Sequence, residues 1–233
     1  MKLAIFDFDG TLFPNQTIPY LMKRYVKLGY SKIRYSVFLG KLFIAFIKYK
    51  LFSNKGYGKE QFRREATVYF IQLFNKQEPK VLEEFFAQVV PEIIRDLNQK
   101  VVEEVVQAKH RGEMCVLLSG GYTTILQGVA DALGIDYMIG TDIQQGDICE
   151  GKLRIKTLDI ATGPRKVERL MELMKDKEID WKSSRAYGDS VYDRYILERV
   201  GNPIAVNPDE FLKKLAEEKK WQIISDMEPF RKR

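Results

Sequence analysis

Two aspartates follow a short apolar run at the start of the chain and have the right chemistry for a nucleophile or an acid/base pair. Asp7 interrupts the run, and Asp9 comes two residues later, directly before Gly10 and Thr11. Residues two apart in a strand point to the same face, and the Gly10-Thr11 pair permits the chain to turn directly after the two aspartates. A carboxylate can attack phosphorus when cations neutralise the phosphoryl oxygens, and a second carboxyl group can protonate the leaving group.

Polar groups that suit an anion occur later in the chain. Ser119, Gly120 and Gly121 follow an apolar run, and we expect them to open a helix whose amides and dipole favour a negative charge. Lys166 begins another predicted helix and can supply a positive charge, and Arg165 beside it is the alternative. Together these residues predict a binding site for phosphate.

A second acidic pair completes the set of candidate residues. Asp189 and Asp193 flank a Ser-Val-Tyr segment just after the apolar residues 186–188. Carboxylate oxygens are hard ligands of the kind that Mg²⁺ prefers, and a site with two carboxylates and a backbone carbonyl suffices for that ion. This acidic pair is therefore a candidate part of a metal site.

Simpler roles remain open for several of these residues. Ser119 and Thr11 are also suited to capping a helix or forming a turn, and Asp193 is suited to capping a helix that begins near residue 192. Lys166 lies in a basic stretch and is compatible with a solvated position on its helix. The candidate site depends on all of the residues meeting in one place.

The elements that must position these residues alternate between strand and helix. Strands are predicted at 3–8, 114–118, 137–140 and 186–188, and helices at 101–111, 123–133 and 164–175. This alternation indicates an α/β fold with a doubly wound parallel sheet. In such a sheet, the loops at the carboxyl ends of neighbouring strands converge on one crevice, and the candidate residues follow those ends.

A helical insertion interrupts this pattern early. Residues 20–50, 59–74 and 79–97 have helical periodicity, which predicts a core at 1–13 and 98–233 and an all-helical inserted domain at 14–97. Polar, glycine-marked turns predict a small hairpin within 142–155. A helix at 211–220, a strand at the segment WQII and a basic tail are expected at the end.

Four segments in this order resemble the motifs of the haloacid dehalogenase superfamily: DFDGT, SGG, the lysine at 166 and GDSVYD. The resemblance extends from Leu3 to about Val206 and is greatest to subfamily IB, which includes phosphoserine phosphatases. It implies a Rossmann-like core with an inserted helical cap. It also implies a Mg²⁺-dependent phosphomonoester hydrolase that works through an aspartyl-phosphate.

The resemblance assigns roles to the acidic residues. It implies that Asp7 is the nucleophile, that Asp7 and Asp189 supply carboxylates to the metal, and that Asp9 supplies its main-chain oxygen. It further implies that Asp9 protonates the leaving alkoxide and then activates water. Asp193 is expected to orient Asp189 or a bound water from outside the metal's direct ligands.

The same resemblance assigns residues to the phosphoryl group. Lys166 would neutralise the phosphoryl oxygens and Asp7, while Ser119 and the Gly120 amide would donate hydrogen bonds to those oxygens. Thr11 is included in the phosphate-binding set. A hydrolytic dehalogenase would need neither the metal nor the second carboxylate of Asp9, so the motif favours phosphate.

The substrate is less determined than the chemistry. The inserted domain resembles a cap that selects the leaving group, but Gln16 stands where phosphoserine phosphatases carry a glutamate, and Tyr192 stands where they carry an asparagine. A small organic phosphate monoester is expected. Phosphoserine itself, transfer to an alcohol acceptor, and an amphiphilic or lipid-derived phosphate are the alternatives.

The inserted domain is also notably basic. Residues 11–59 contain ten Lys and Arg residues and no Asp or Glu. Lys27, Arg34, Lys41 and Lys48 recur every seven residues, which predicts one stripe along a helix. Either the helix is buried with its lysines in water, or it contacts an anionic membrane surface.

Composition excludes several other classes. The net charge of +6 is too small to indicate a nucleic-acid-binding protein. Cys115 and Cys149 lack the number and spacing of a disulfide framework or zinc site. The start of the chain does not have the pattern of a signal peptide, and the apolar stretch at 42–47 is too short to span a bilayer, so a cytoplasmic location is expected.

Overall fold

The computed structural model describes residues 1–52, 58–143 and 147–225. The chain divides into two compact units. Unit 1 consists of Met1–Asn15, Glu92–Thr141 and Ala161–Arg233, and unit 2 consists of Gln16–Pro91 and Asp142–Ile160.

The described strands and helices alternate as in an α/β protein. In chain order the strands are β1 (Leu3–Phe6), β2 (Met114–Tyr122), β3 (Tyr137–Thr141), β4 (Ile148–Cys149), β5 (Lys152–Leu153), β6 (Arg185–Gly188), β7 (Asn202–Val206) and β8 (Gln222–Ile224). The α-helices are α1 (Thr17–Lys27), α2 (Lys32–Phe52), α3 (Lys59–Ile71), α4 (Pro79–Arg95), α5 (Gln99–His110), α6 (Thr123–Leu133), α7 (Pro164–Leu173), α8 (Arg194–Leu197) and α9 (Glu210–Glu218).

Unit 1 is organised around a parallel sheet with β1 near its centre. Among the described residues the strand order is β3-β2-β1-β6-β7-β8, and every neighbouring pair is parallel. Phe6 pairs with Leu117 of β2 and with Tyr187 of β6. Every residue of β1 is buried, as expected for a strand covered on both faces. The chain therefore leaves β1 at the middle of the sheet's carboxyl edge.

Local signals fix where several helices begin and end. The Asn98 side chain accepts a hydrogen bond from the Lys100 amide at the start of α5, and the Asp209 side chain accepts one from the Leu212 amide at the start of α9. Pro164 occupies the first turn of α7, where its missing N–H costs nothing. These caps place the residues before each helix at the sheet edge.

The two units have separate apolar cores. In unit 1, small and branched side chains from the sheet pack against α7, α8 and α9, with Leu3, Val116 and Ala205 fully buried. In unit 2, the core is mainly aromatic. Tyr25 has edge contacts with Phe70 and Phe74 at 6.4 and 5.6 Å between ring centroids. Such aromatic clusters bury a large apolar area per residue.

A hairpin joins the helices in unit 2. β4 and β5 pair in antiparallel fashion, and the Lys76 amide donates to the Leu153 carbonyl at 2.8 Å. The Asn75 side chain accepts from the Ile155 amide at 2.8 Å and donates to the Ile155 carbonyl at 3.0 Å. These bonds tie the hairpin segment to the end of α3.

The structure confirms the α/β class, the parallel sheet and the strand-helix alternation, but it differs from the predicted boundaries. The insertion was expected to be all-helical within 14–97, whereas unit 2 also takes in Asp142–Ile160, because a hairpin far along the chain bonds to its helices. A continuous helix over 20–50 is wrong, since α1 ends at Lys27 and α2 begins at Lys32. Gly29 lies between them with a φ of 77°.

Two strands also differ from expectation. β2 continues to Tyr122, so the SGG segment belongs to the strand and does not open the following helix, which begins at Thr123. The sequence analysis assigned nothing to β7, which has Pro203 as its second residue. Residues 144–146 of the predicted hairpin, the turn at 53–57 with Lys55, and the basic tail lie outside the described residues.

We predict that Asn75→Ala will loosen the hairpin from unit 2 because it removes both side-chain bonds to Ile155. Each lost hydrogen bond costs about 1 kcal/mol, so amide exchange at Ile155 should accelerate by about tenfold or more. Hydrogen exchange followed by mass spectrometry or NMR measures this rate. The control Gln61→Ala removes a side-chain bond between neighbouring turns of α3 and should leave the rate unchanged. Equal exchange rates in both variants would contradict the role of Asn75 in holding the hairpin segment.

Candidate active site

Three carboxylates and one ammonium group come together at the carboxyl edge of the unit 1 sheet. Asp7 follows β1, Asp189 follows β6, and Asp193 ends a short 3-10 helix at Val191–Asp193. Lys166 lies in the first turn of α7. Parallel strands bring these residues to one edge although 186 positions separate Asp7 from Asp193 in the sequence.

Lys166 links two of the carboxylates. Its Nζ atom donates to Asp7 Oδ1 at 2.5 Å and to Asp193 Oδ1 at 2.7 Å. The side chains of all three residues are at least nine-tenths buried. Charge-assisted bonds of this kind are strong where water is excluded, so Lys166 holds both carboxylates in fixed positions.

Asp193 is held on its other side by Ser190. Its Oδ2 atom accepts from the Ser190 amide at 3.2 Å and from the Ser190 hydroxyl at 3.0 Å. We expected Asp193 to orient Asp189 or water, or to cap a helix that begins near residue 192. Its bond with the Ser190 amide forms a capping box at the start of the 3-10 helix, so the capping role is confirmed, and its other oxygen binds Lys166. Gly188 permits this position, because a Cβ there would lie 2.6 Å from the Asp193 Cβ.

Asp189 is placed by close backbone packing. A Cβ on Gly10 would lie 2.1 Å from Asp189 Oδ2, and Gly10 has a φ of 83°, so both space and conformation require glycine. The Asp189 carbonyl accepts from the Asp209 amide at 2.7 Å. The sequence analysis missed Asp209, although an Asn-Pro-Asp segment before an amphipathic helix is a recognisable capping signal.

Asp9 lies half-buried at the beginning of the loop after β1, and its backbone pairs with that of Phe13. Its charge raises the pKa of Asp7, although burial and Asp193 have larger effects on that group. Burial holds the pKa of Tyr122 well above its ordinary value, and Asp9 adds to the shift. Tyr122 is therefore a neutral phenol close to Asp9, and sequence reasoning did not find it.

Two of the predicted phosphate-binding residues have hydroxyl groups that can still donate a hydrogen bond to a ligand. Ser119 Oγ accepts from the Gly121 amide at 3.0 Å, which leaves its own proton to donate. The Gly120 carbonyl accepts from the Thr141 hydroxyl at 2.9 Å. Thr11 is fully buried, and its Oγ1 atom has no hydrogen-bond partner within the described residues. An unsatisfied buried hydroxyl is costly unless a ligand completes it.

Carboxylates outnumber cations in the cluster that the described residues form. Burial raises the pKa of Asp7, Asp193 adds to that rise and Lys166 opposes both, and the resulting pKa is about 7. Burial alone would lower the pKa of Lys166, but Asp193 and Asp7 outweigh that effect and hold it above its ordinary value. Lys166 is therefore cationic, and one ammonium group faces three carboxylates.

These carboxylates fit a divalent metal ion. One oxygen each from Asp7, Asp189 and Asp193 lie within 4.8 Å of one another. Oxygen ligands at this spacing suit a hard cation such as Mg²⁺, and an ion would supply the charge that the site lacks. Asp193 binds Lys166 and Ser190 through its two oxygens, whereas Lys166 bonds to one oxygen of Asp7.

The structure distinguishes Lys166 from its alternative. Arg165 donates to Glu168 at 2.9 Å, and its side chain is 46% exposed, so it points away from the buried carboxylates. Asp7, Lys166, Asp189 and Asp193 are thus brought into one cluster. Parallel pairing of β1 with β2 places Ser119 at the same edge of the sheet.

Most of the chain matches one known protein family. The sequence profile of the haloacid dehalogenase-like hydrolases matches residues 4–198. The chain is 25% identical to a phosphoserine phosphatase of Archaeoglobus fulgidus over 93% of its own length and 55% of that relative. It is 28% identical to a histidinol-phosphatase of Neisseria meningitidis over 96% of its own length and 98% of that relative.

Solved structures share the fold. A substrate-bound phosphoserine phosphatase complex superposes with a TM-score of 0.63 at 22% identity, covering 96% of this chain and 92% of the other. At this identity the likeness establishes the Rossmann-like architecture alone.

We predict that Lys166→Met will destabilise the metal-free protein strongly at pH 8 and less at pH 5. Removing the ammonium leaves two buried carboxylates unpaired, at a cost of about 3–5 kcal/mol while both are ionised. The pKa of Asp7 would rise further without the cation, so acidification protonates this carboxylate and reduces the loss. Urea unfolding in EDTA at both pH values measures the effect.

The exposed Lys213→Met variant is the control and should change stability little at either pH. If Lys166→Met lost the same free energy of unfolding at pH 5 and pH 8, the carboxylates would not be its partners.

We also predict that Gly10→Ala will cost more stability than Gly29→Ala. Both glycines have positive φ, so each alanine suffers about 1–2 kcal/mol of backbone strain. Only the Gly10 Cβ meets Asp189, whereas nothing lies within 4 Å of a Cβ at Gly29. The overpacking should add about 1–3 kcal/mol at Gly10. Thermal denaturation compares the two, and equal losses would show that Asp189 does not pack there.

Proposed function

The chain belongs to the haloacid dehalogenase-like hydrolase family, and we propose that it hydrolyses a small organic phosphate monoester through an aspartyl-phosphate on Asp7 with Mg²⁺ as cofactor. Phosphoric monoester hydrolysis is the activity class of this chain, in agreement with its relatives named for phosphoserine and histidinol phosphate. The observation that carries the proposal is the buried cluster in which Lys166 bridges Asp7 and Asp193 beside Asp189.

Asp7 is the residue best suited to attack phosphorus. It follows the central strand β1, is only 7% exposed, and has one carboxylate oxygen bonded to Lys166. That bond leaves the second oxygen for the attack and fixes its direction. Partial desolvation makes a carboxylate a better nucleophile, provided that positive charge is present when the anionic substrate arrives.

The cation that fits the carboxylate cluster completes this charge balance. Asp7 and Asp189, with the main-chain oxygen of Asp9, would hold Mg²⁺. When bound, the ion would act as a Lewis acid that neutralises phosphoryl oxygens. Asp193 bonds to Lys166 and so holds its ammonium group beside Asp7, where it would add to the positive charge of the bound ion.

Hydrogen-bond donors would hold the phosphoryl oxygens. The Ser119 hydroxyl has a proton to donate, because its oxygen already accepts from the Gly121 amide. The Thr11 hydroxyl is buried without a partner, and the Gly120 amide follows Ser119 along the same strand end. Donors fixed before the reaction stabilise the charge that develops at the transition state without further reorganisation.

The reaction then proceeds in two balanced steps. An Asp7 oxygen forms a bond to phosphorus while the bond from phosphorus to the ester oxygen breaks, and Asp9 gives its proton to the departing alkoxide. In the second step Asp9 takes a proton from water, which attacks phosphorus and releases phosphate and the free Asp7 carboxylate. Burial raises the pKa of the nearby Tyr122 phenol, so Tyr122 keeps its proton and Asp9 is the group that exchanges protons in this mechanism.

The names of two relatives support a substrate class. Phosphoserine and histidinol phosphate are both phosphate esters of a primary alcohol that carries an amino group. We therefore propose an ester of this type as the substrate. Gln16 and Tyr192 differ from the residues expected of a phosphoserine phosphatase, so phosphoserine and histidinol phosphate should be compared directly in one assay panel.

An amphiphilic phosphate ester is the second candidate. The observation that favours it is the series of exposed apolar side chains along α2, including Ile33 and Leu51. Apolar surface of this kind is suited to contact with amphiphilic molecules. Lysophosphatidic acid belongs in the same panel as a representative of this class.

We predict that Asp7→Asn will abolish Mg²⁺-dependent hydrolysis of p-nitrophenyl phosphate, with a fall in kcat of at least about a thousandfold. The amide is isosteric with the carboxylate but is a poor nucleophile, and Asp193 still pairs with Lys166, so the fold should remain. Activity and circular dichroism are measured together. The control Asp131→Asn, on α6, should retain full activity. Turnover by Asp7→Asn close to the wild-type rate would refute Asp7 as the nucleophile.

A further inference from the structure

The α2 helix carries a stripe of apolar side chains that the described part of the chain leaves exposed. We call this the outer stripe, and it consists of Ile33, Val37, Ile44, Ile47 and Leu51. With Gly40 included, these positions alternate between spacings of four and three residues. Ile33 is 80% exposed and Leu51 is 68% exposed. Contiguous exposed apolar surface of this kind marks an interaction site.

The opposite face of α2 is the one that packs in unit 2. Phe38 and Ala45 are buried there, and Phe38 has an edge contact with Phe70 of α3 at 6.2 Å. The helix is therefore apolar on both faces, as in a fully buried or lipid-contacting helix. Only one of those faces is satisfied by unit 2.

Two of the predicted surface cations turn toward unit 2 instead. Arg34 donates to the carbonyl oxygens of Leu73 and Asn75 at 2.9 and 2.5 Å. Lys41 donates to the side chain of Gln72 at 2.9 Å. The expected stripe of four basic residues is thus wrong, because Lys27 lies on α1 and these two side chains bind unit 2. What reaches the outer face is apolar.

Lysines nevertheless border the outer stripe. Lys48 lies on one side of it along the helical wheel, and Lys32 and Lys50 lie on the other, all exposed. Lys50 also rests 5.6 Å from the ring centroid of Phe46, which leaves its charge at the edge of the apolar surface. No Asp or Glu occurs between Gly10 and Lys59. The border of the stripe therefore carries positive charge alone.

We propose that α2 lies along an anionic lipid bilayer, with the outer stripe in the boundary between headgroups and acyl chains and the bordering lysines on the headgroup phosphates. Lysines beside inserted apolar residues are the arrangement that such a surface recognises. A helix of 21 residues is about 30 Å long and offers several turns of contact. Among the described residues, no helix has the length and apolar content to cross a bilayer, so the helix rests on the surface.

Charge argues against a second copy of this chain as the occupant. Two outer stripes packed together would bring the lysines of both helices close to one another, with no carboxylate on either α2 to pair with them. Like charges across an interface disfavour association. The bilayer proposal is independent of the reaction that the site catalyses.

The first test is co-sedimentation of the full chain with vesicles. The wild type should bind vesicles that contain phosphatidylglycerol at low salt, more weakly at high salt, and at least about tenfold more weakly to vesicles of phosphatidylcholine alone. A variant with Ile44→Asp and Ile47→Asp should lose binding by at least about tenfold, since it places charge in the apolar face. Retained binding by that variant would overturn the proposal.

A matched control separates the stripe from net charge. Val106→Asp with Phe211→Asp changes the charge by the same amount at exposed apolar residues of α5 and α9, and it should bind as the wild type does apart from a small common loss. Replacing Lys32, Lys48 and Lys50 by Gln should weaken binding by about fivefold for each lysine. The same change at the exposed residues Lys175, Lys213 and Lys214 should have a smaller effect. Equal losses in the two lysine sets would contradict a specific role for the border of the stripe.

Insertion depth provides a readout that surface charge alone cannot reproduce. Phe43→Trp places an indole on the exposed side of α2, and Phe211→Trp places one on α9, where the phenylalanine is similarly exposed. Brominated lipids should quench the first more than the second, above the common background of Trp181 and Trp221. Equal quenching would refute insertion.

Sedimentation equilibrium without lipid tests whether a second copy of the chain covers the outer stripe. The proposal expects the wild type and the Ile44→Asp, Ile47→Asp variant to have the same mass. A wild-type dimer that this variant dissociates, together with no binding to vesicles, would show that a second copy covers the stripe and would overturn the bilayer proposal. Because these measurements involve no turnover, their failure would leave the phosphatase proposal unaffected.

Discussion

The contact on which the active site depends is the pair of hydrogen bonds from the Lys166 ammonium to Asp7 and Asp193. Without this cation, two carboxylates from distant parts of the chain could not be buried side by side, because each would retain its full desolvation cost and would repel the other. The buried lysine is thus a structural requirement as well as a source of charge for an anionic substrate. It also fixes the orientation of the Asp7 carboxylate, since it bonds to one of that group's two oxygens.

Glycine residues allow the acidic groups to approach one another this closely. Gly10 makes room for the Asp189 carboxylate, and Gly188 makes room for the Cβ of Asp193. The Asp209 amide donates to the Asp189 carbonyl and the Asp209 side chain caps α9, so the loop after β6 is tied to the start of α9. The result is a rigid frame that is deficient in positive charge. A frame of this kind suits a divalent ion, because the cost of holding the carboxylates together has been met by folding.

Unit 2 differs from the active site, because its unusual feature is an exposed apolar face with lysines at its border and not a cluster of buried carboxylates. Its aromatic core, centred on Tyr25 and Phe74, is large enough to stabilise the helices around it. The outer stripe of α2 is therefore not needed for that core, and the folded chain retains it at a free-energy cost in water. An apolar face bordered by lysines alone is specific in what it can bind, since the apolar residues require a non-aqueous partner and the lysines require an anionic one.

Sequence alone was sufficient for the α/β class, for most element positions and for the identity of the acidic residues, because strand-helix periodicity and strand-end motifs are local signals. It also selected Lys166 correctly as a member of the cluster, although Arg165 stood beside it. Only the tertiary structure decided that Asp193 binds Lys166, that Asp142–Ile160 joins the helical unit, and that Arg34 and Lys41 turn inward and leave α2 with an apolar outer face. The reason is physical: a side chain's partner depends on distances set by packing between segments far apart in the chain, and the heptad spacing of charges could not reveal which face unit 2 would cover.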